Sequence, residues 1–515
     1  MNETERGWLL ALGAILILGL ALRLVGIHNP ILDHPGWRQG DTAAIARNFA
    51  ELRFNILFPQ TDYDGPPPNY VELELQIVPF VAALGYKLFG IHEIFGRLVS
   101  LAFSLGTVAV VGYFARWLFF LPAAGLCAAL LYAIFPGSVY YGRTFTPDGT
   151  MAFFLTAALF AGTRWLLRPA PVRIPAWNDV ASAALLALAF LAKPVATLAI
   201  VPLLAVDYLR VDARRALLQS RALLIVVPAL GLLVAYLAFV GGHAEWHWAS
   251  GITSKHVVPS LWSALASPHA LAAKTAVLAT QLSTMFATTI AGPAGFALCA
   301  LGFVFMPRAR SRALLYAWLA AGVLYAFVVV TVERVDYYLY PLLPLAALAG
   351  GGFLGTLWER VPRTRTRALL AAVVLLAVVA NNEAQIWPYY RYRHAVYAGA
   401  KALDRRLQPG VLVVMAHYDP SVLYYINRKG WQEDPYVWTP VDEQSAIAKG
   451  ARYLIAVEDR RLQRNVELAA WLQRFPLLQP PGLWPVYETD YAKMLPGAEE
   501  RWREFRRREK AGAQR

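Results

Sequence analysis

The sequence is poor in cysteine and poor in charge. Only two of its 515 residues are cysteine, Cys127 and Cys299, and both lie inside apolar runs. They offer no disulfide framework and no metal-binding spacing, so they read as small core residues. Charged residues make up 16% of the chain, and acidic ones are the scarcer kind, 34 against 48 Lys and Arg. The resulting surplus of +14 is not gathered on one face. The arginines are scattered between hydrophobic runs, which excludes nucleic-acid binding as the reason for the surplus. No internal repeat is visible. The N-terminal apolar run is too long for the core of a signal peptide, and it lacks a small-residue cleavage site. It reads as a first membrane span.

What the chain has in plenty is apolar surface: 57% hydrophobic residues and a mean hydropathy of +0.42. Several stretches approach or exceed the ~18–20 apolar residues needed to cross a bilayer core of about 30 Å. Trp8–Ile27, Phe119–Phe135, Leu223–Val240 and Ala313–Val332 are the clearest. The pattern predicts a polytopic α-helical membrane protein. Spans are expected near 7–27, 95–115, 119–137, 148–167, 178–192, 194–209, 223–241, 288–306, 313–332, 338–357 and 367–382. Gln76–Gly90, interrupted by Pro79, and Leu271–Thr288 read as segments that lie along the membrane or half-cross it. Counting them brings the total to about 11–13 spans.

Alternate connections are basic. They carry Arg116, then Arg164, Arg168 and Arg173, then Arg210, Arg214, Arg215 and Arg221. Arg308, Arg310 and Arg312 follow, and then Arg360, Arg363, Arg365 and Arg367. The positive-inside rule puts these connections and the N-terminus in the cytoplasm. The chain divides into a membrane part, 1–382, with a first outer loop at 28–94, and a polar part, 383–515. In the polar part "VLVVMAHYDPSVLYYINRKGW" reads as a buried strand, a turn at Asp419–Pro420 and a helix, and "ARYLIAVED" reads as a second strand. A small extracytoplasmic α/β domain with a charged tail is expected.

The outer connections hold the unusual polar residues. The first contains Asp33, His34, Arg38, Asp41, Arg47, Asp62, Asp64, Glu72 and Glu74. The second, "FPGSVYYGRTFTPDGT", contains Tyr141, Arg143 and Asp148, and the third is little more than Lys193–Pro194. The fourth carries His243, Glu245, His247, Lys255 and His256, and the fifth carries Glu333, Arg334, Asp336, Tyr337 and Tyr338. Each has a plain structural explanation. Asp41 suits a helix N-cap, and Asp148 suits a helix start beside the positive end of the dipole. Arg143 suits a snorkelling anchor, and the tyrosine pair suits an interfacial belt. His243 and His247 stand four apart, as metal ligands on one helix face do, but "HAEWHW" reads better as an interfacial anchor. Lys193 resists such treatment. A charge with so little loop to carry it into water needs an anionic partner, either a phosphate or Asp148 or Glu74. An acidic base with a cationic cradle at membrane depth suits group transfer from a lipid phosphate. The rival reading, a transporter or flippase for a lipid-linked sugar, would favour broken spans with charges near mid-bilayer and paired halves. A non-catalytic polyprenyl-phosphate binder would keep Lys193 without needing Asp41.

In this order, "HPGWRQGDTAAIARNF", "ELQIVPFVAALGYKLFG", "FPGSVYYGRTFTPDGTMAFF", "LAFLAKPVATLAIVPLL" and "DYYLYPLLPLAALAG" resemble bacterial GT-C glycosyltransferases. The likeness is to the groups related to protein O-mannosyltransferases and lipid A aminoarabinose transferases. It implies inverting transfer of a hexosyl or pentosyl group from a polyprenyl-phosphate donor to a protein, lipid or polymer acceptor, outside the cytoplasm. By the resemblance, Asp41 is the base, although the usual two adjacent acids are here one. Glu74 matches the second-loop acid, with Glu72 as a close competitor, and Glu74 would orient the acceptor or assist a divalent cation. Lys193 matches the lysine that faces the lipid phosphate, with Arg143, Tyr337 and Tyr338 beside it. Asp148, Glu72 and Arg334 would line the same cavity.

Overall fold

A computed structural model of the protein describes residues 3–168, 177–209, 220–245, 247, 251–361, 364–479 and 484–512. Of the basic connections, Arg173, Arg210, Arg214, Arg215 and Arg363 lie outside the described residues, as does the side chain of Arg367. The expected spans are helical, although 119–137 is divided between two helices and 288–306 is broken. The first half of the chain forms α1 (Glu3–Leu24), α2 (Gly36–Glu51), α3 (Ile77–Phe89), α4 (Ile94–Phe119), α5 (Pro122–Ile134), α6 (Pro136–Tyr141), α7 (Asp148–Leu166), α8 (Trp177–Ala192) and α9 (Ile200–Tyr208). It continues through α10 (Arg221–Gly241), α11 (Val258–Leu265), α12 (Pro268–Gln281), α13 (Pro293–Val304), α14 (Arg312–Tyr325), α15 (Leu343–Arg360) and α16 (Thr364–Ile386). Among the described residues five helical stretches are long and apolar enough to cross a membrane unaided. They are Glu3–Leu24, Ile94–Phe119, Arg221–Gly241, Arg312–Glu333 and Asp336–Arg360. The others are shorter or bent and are held by packing.

Two expectations change. The span expected at 288–306 is broken. Pro268–Ile290 and Pro293–Val304 meet at 112°, because Gly292 takes a left-handed φ of 74° and Pro293 starts a new helix. Pro79 does not interrupt Gln76–Gly90. It sits in the first turn of α3, where its missing N–H costs nothing. At 13 residues α3 is about 20 Å long, too short to cross, and it packs beside α2.

Close packing in the bundle depends on small residues. A Cβ on Gly351 would lie 2.5 Å from Ala128, and one on Gly355 would lie 2.5 Å from Ala124. This four-residue spacing on both helices brings the backbones of α5 and α15 together, as small residues do where lipid supplies no hydrophobic drive.

Beyond α16 come α17 (His394–Asp404), β1 (Leu412–Ala416), α18 (Pro420–Ile426), β2 (Lys429–Glu433) and β3 (Ala451–Ile455), with short strands β4 (Leu477–Leu478) and β5 (Val486–Tyr487). The sheet order is β2-β1-β3-β5-β4. β1 pairs in parallel with β2 and β3, and β5 runs antiparallel between β3 and β4. The expected turn is present, since the Asp419 side chain accepts from the Ser421 N–H and caps α18.

The sheet region is bonded to the first loop. Gly65 N donates to Gly430 O at 2.8 Å, and Gly430 N donates to Asp62 O at 3.0 Å. Lys429 Nζ reaches Asp62 Oδ1 at 2.9 Å, and Arg47 also pairs with Asp62. A Cβ on Gly40 would fall 2.6 Å from Ser421 Cα, so α2 and α18 touch backbone to backbone.

Candidate active site

Asp41 is no helix cap. α2 starts at Gly36, and Asp41 is in its interior, 1% exposed. Its place one turn after Arg38 puts both side chains on one helix face. One carboxylate oxygen, Oδ1, is buried without a hydrogen-bond partner in the protein. Such an atom costs free energy, so it marks a place where structure serves something other than stability. Burial pushes the Asp41 carboxyl up to about 7, with Asp419 and Asp62 adding to the rise, against the pull of Arg38 and a hydrogen bond from Tyr63. A carboxyl held there changes protonation at neutral pH, which suits a general base.

Arg38 pairs with Glu74 and also faces Asp41, Tyr337 and Tyr338 electrostatically. It links the first loop to the fifth. Tyr337 and Tyr338 stack at 5.2 Å, and the Lys193 ammonium lies over both rings, 5.2 Å from Tyr337 and 4.8 Å from Tyr338. Lys193 Nζ is 2.6 Å from Asp148 Oδ1, and Asp148 opens α7, where the helix dipole favours its charge. Of the anionic partners expected for Lys193, the protein supplies Asp148. The Asp148 Oδ2 atom is buried without a protein partner. Asp41, Arg38, Glu74, Tyr337, Lys193 and Asp148 are buried and, with the half-buried Tyr338, form one continuous cluster drawn from four connections.

Three expected members are elsewhere. Arg143 is fully buried and committed to structure. Its guanidinium bonds Asp33 Oδ2 at 2.8 Å and Gly26 O at 2.9 Å, and it stacks on Tyr140 and Tyr390. Arg97 holds the other Asp33 oxygen at 2.9 Å, so Arg143 is half of a buried clamp and not a free phosphate ligand. Glu72 turns to His247, 3.2 Å away, beside Gly241. Arg334 is exposed in a left-handed turn with φ 49°.

Sequence reasoning passed over other residues. Arg38 is a site residue, and its i, i+3 spacing to Asp41 was a readable signal. Asp336 accepts from the Tyr141 hydroxyl at 2.7 Å, the Tyr389 hydroxyl at 2.6 Å and the Tyr337 N–H at 2.8 Å, with the His34 ring at 3.5 Å. It fixes the tyrosine turn to the first loop. Tyr418 and Asp419 of the sheet region also approach Asp41, and Tyr418 stacks on Trp37. No local pattern announces that approach.

The donor set does not fit a divalent cation. Among the described residues no three His, Cys, Asp or Glu side chains converge. Glu74 is taken by Arg38 and Glu72 by His247. His243, just past the end of α10, bonds the Phe239 carbonyl of that helix and packs on Phe239 and Phe58.

Two solved structures share this arrangement of elements. ArnT from Cupriavidus metallidurans, bound to undecaprenyl phosphate, is 14% identical and aligns over 95% of this chain and 99% of its own, with a TM-score of 0.57. The archaeal oligosaccharyltransferase AglB from Archaeoglobus fulgidus, in complex with an inhibitory peptide and a dolichol-phosphate, is 11% identical, over 96% of this chain and 76% of its own, with a TM-score of 0.56. The chain has the GT-C fold. Residues 76–239 also match the family of dolichyl-phosphate-mannose-protein mannosyltransferases. No curated protein matches the chain in sequence. The matched stretch of this GT-C chain includes Asp148 and Lys193 but not Asp41, Arg38 or Tyr337, whose grouping rests on geometry.

Proposed function

We propose that the chain is an inverting glycosyltransferase that moves a sugar from a polyprenyl phosphate to an acceptor hydroxyl on a protein, lipid or polymer. The carrying observation is the Asp41 carboxylate, buried with one oxygen unpartnered, in the same cluster as Lys193. The GT-C fold supports transfer over transport, and the printed lipid ligands of the two structural neighbours support a lipid-phosphate donor. The basic connections support an N-terminus in the cytoplasm, with the site and sheet region on the outer side of the cytoplasmic membrane.

The step is one displacement. The acceptor hydroxyl gives its proton to Asp41 as its oxygen attacks the anomeric carbon. The bond from that carbon to the phosphate oxygen breaks, and polyprenyl phosphate leaves with the electron pair. Lys193 stabilises that charge by moving its contact from Asp148 toward the phosphate, with Tyr337 and Tyr338 flanking it. Arg38, held by Glu74, fixes a positive charge beside Asp41 and keeps the base oriented. No step runs through a metal.

The test uses protein in nanodiscs, a panel of polyprenyl-phosphate sugars and a membrane extract as acceptor source. Release of polyprenyl phosphate by wild type and its loss in Asp41→Asn is the expected result. Equal release from both would overturn the role of Asp41. A folded wild-type protein that binds none of the donors would overturn the transferase reading.

A further inference from the structure

The far ends of the same helices carry a feature that the transfer chemistry does not use. α15 begins just after the tyrosine turn and runs 18 residues to Arg360, about 27 Å, so Arg360 lies at the membrane face opposite Lys193. There the ends of α4, α13, α14 and α15 leave a cavity of about 910 Å³. Phe305, Tyr316 and Leu357 form apolar walls, and Arg308, Arg312 and Arg360 line the same space. Phe305 is 63% exposed and Leu357 is 40% exposed, so the wall is open to the surroundings of the bundle.

The three guanidiniums have no carboxylate partner among the described residues. Arg312 donates to the Met306 carbonyl at 3.2 Å, and Arg308 lies 5.9 Å from the Phe120 ring. Three uncompensated cations at the rim of an apolar hollow call for an anion with a hydrophobic body. The planar guanidinium matches phosphate oxygens in pairs, and basic hollows between membrane helices suit anionic head groups.

We propose that this cavity binds an anionic glycerophospholipid of the leaflet opposite the Lys193 site. Its phosphate sits among Arg308, Arg312 and Arg360, and its acyl chains lie along Phe305 and Leu357.

The test is native mass spectrometry of the delipidated full chain in detergent, titrated with dioleoyl phosphatidylglycerol or dioleoyl phosphatidylcholine. Wild type is expected to prefer phosphatidylglycerol. R308Q/R312Q is expected to bind it roughly 25-fold more weakly, two charges at about a factor of five each, with binding of phosphatidylcholine unchanged. R310Q serves as the charge control, since Arg310 lies over the rings of Trp117 and Phe120 and does not line the cavity. It is expected to bind like wild type. L357W narrows the cavity from an exposed position and is expected to weaken binding without altering the fold. Equal affinity of wild type for both lipids would overturn the proposal. So would full phosphatidylglycerol affinity in R308Q/R312Q or in L357W.

Discussion

At the residue scale the cluster is a set of charges whose costs differ. Asp41 is held at about 7 against an ordinary value of 3.8. The folded state therefore holds its proton more tightly than the unfolded chain. Its contribution to stability falls as pH rises from 3.8 to about 7 and stays low above that. Asp41→Asn is expected to raise the melting temperature at pH 8 but not below pH 3.8, as thermal unfolding in detergent would show. If Asp41 is the base, the same titration sets the pH dependence of transfer. Transfer is expected to rise with pH through about 7 and then level, and Asp41→Asn is expected to lose about 10²–10⁴-fold in rate. A wild-type profile that is flat from pH 5 to pH 8 would place the proton elsewhere.

Lys193 and Asp148 form a tighter pair, and breaking it leaves a buried charge. Lys193→Met is expected to cost about 3–5 kcal/mol of stability. Adding Asp148→Asn is expected to return most of that stability but, if Lys193 holds the donor phosphate, none of the transfer activity. Arg143→Leu is expected to lower stability by a similar margin while leaving the donor KM of the surviving protein unchanged. A selective rise in donor KM would return Arg143 to the phosphate site.

At the scale of elements, two contacts decide whether the cluster assembles. The first is the glycine seam of α15 against α5. Gly351→Leu must push the two helices apart, because even a Cβ meets Ala128 at 2.5 Å. Loss of the folded monodisperse peak in size-exclusion chromatography is expected. The second is the contact of α2 with α18. Gly40→Ala places a methyl group against the Ser421 backbone, one residue before the base. Transfer is expected to fall far more than the melting temperature, since the change tilts α2 without opening the bundle. Equal loss of both would mean that this contact serves folding alone.

At the scale of the whole molecule the sheet region is bonded to the first loop. Asp62, Arg47 and Lys429 tie it to the first loop, and Tyr418 and Asp419 are carried to the neighbourhood of Asp41. Lys429→Ala leaves Asp62 with Arg47 and the Asn48 amide, both from the first loop, and removes its ion pair to the sheet region. It is expected to speed hydrogen exchange in both 36–65 and 417–433 while leaving α4 and α15 protected. Unchanged exchange in the first loop would uncouple the two regions.

Much was settled locally. Runs of apolar residues long enough to satisfy every backbone group as helix had to be helical, so the expected spans are helical, with 288–306 broken at Gly292. The strand, Asp-Pro turn and helix of the sheet region follow from a buried apolar run and a capping aspartate at 419. The partner of Lys193 was narrowed to a few anions by the cost of an unpaired charge. Other features needed the tertiary structure. Whether Asp41 begins a helix or sits inside one depends on where the chain turns at Pro35, which "GWRQGDTAAIARNF" cannot report. Arg143 and Arg38 are both arginines in outer connections. Only the folded chain shows that Asp33 takes the first, while the second stands between Glu74 and Asp41. Glu72 and Glu74 are two residues apart and diverge to His247 and Arg38. Composition and periodicity determine which segments leave water, because that energy is summed along the chain. Which charges meet depends on long-range contacts between connections, and that was decided only by the packing of the helices that carry them.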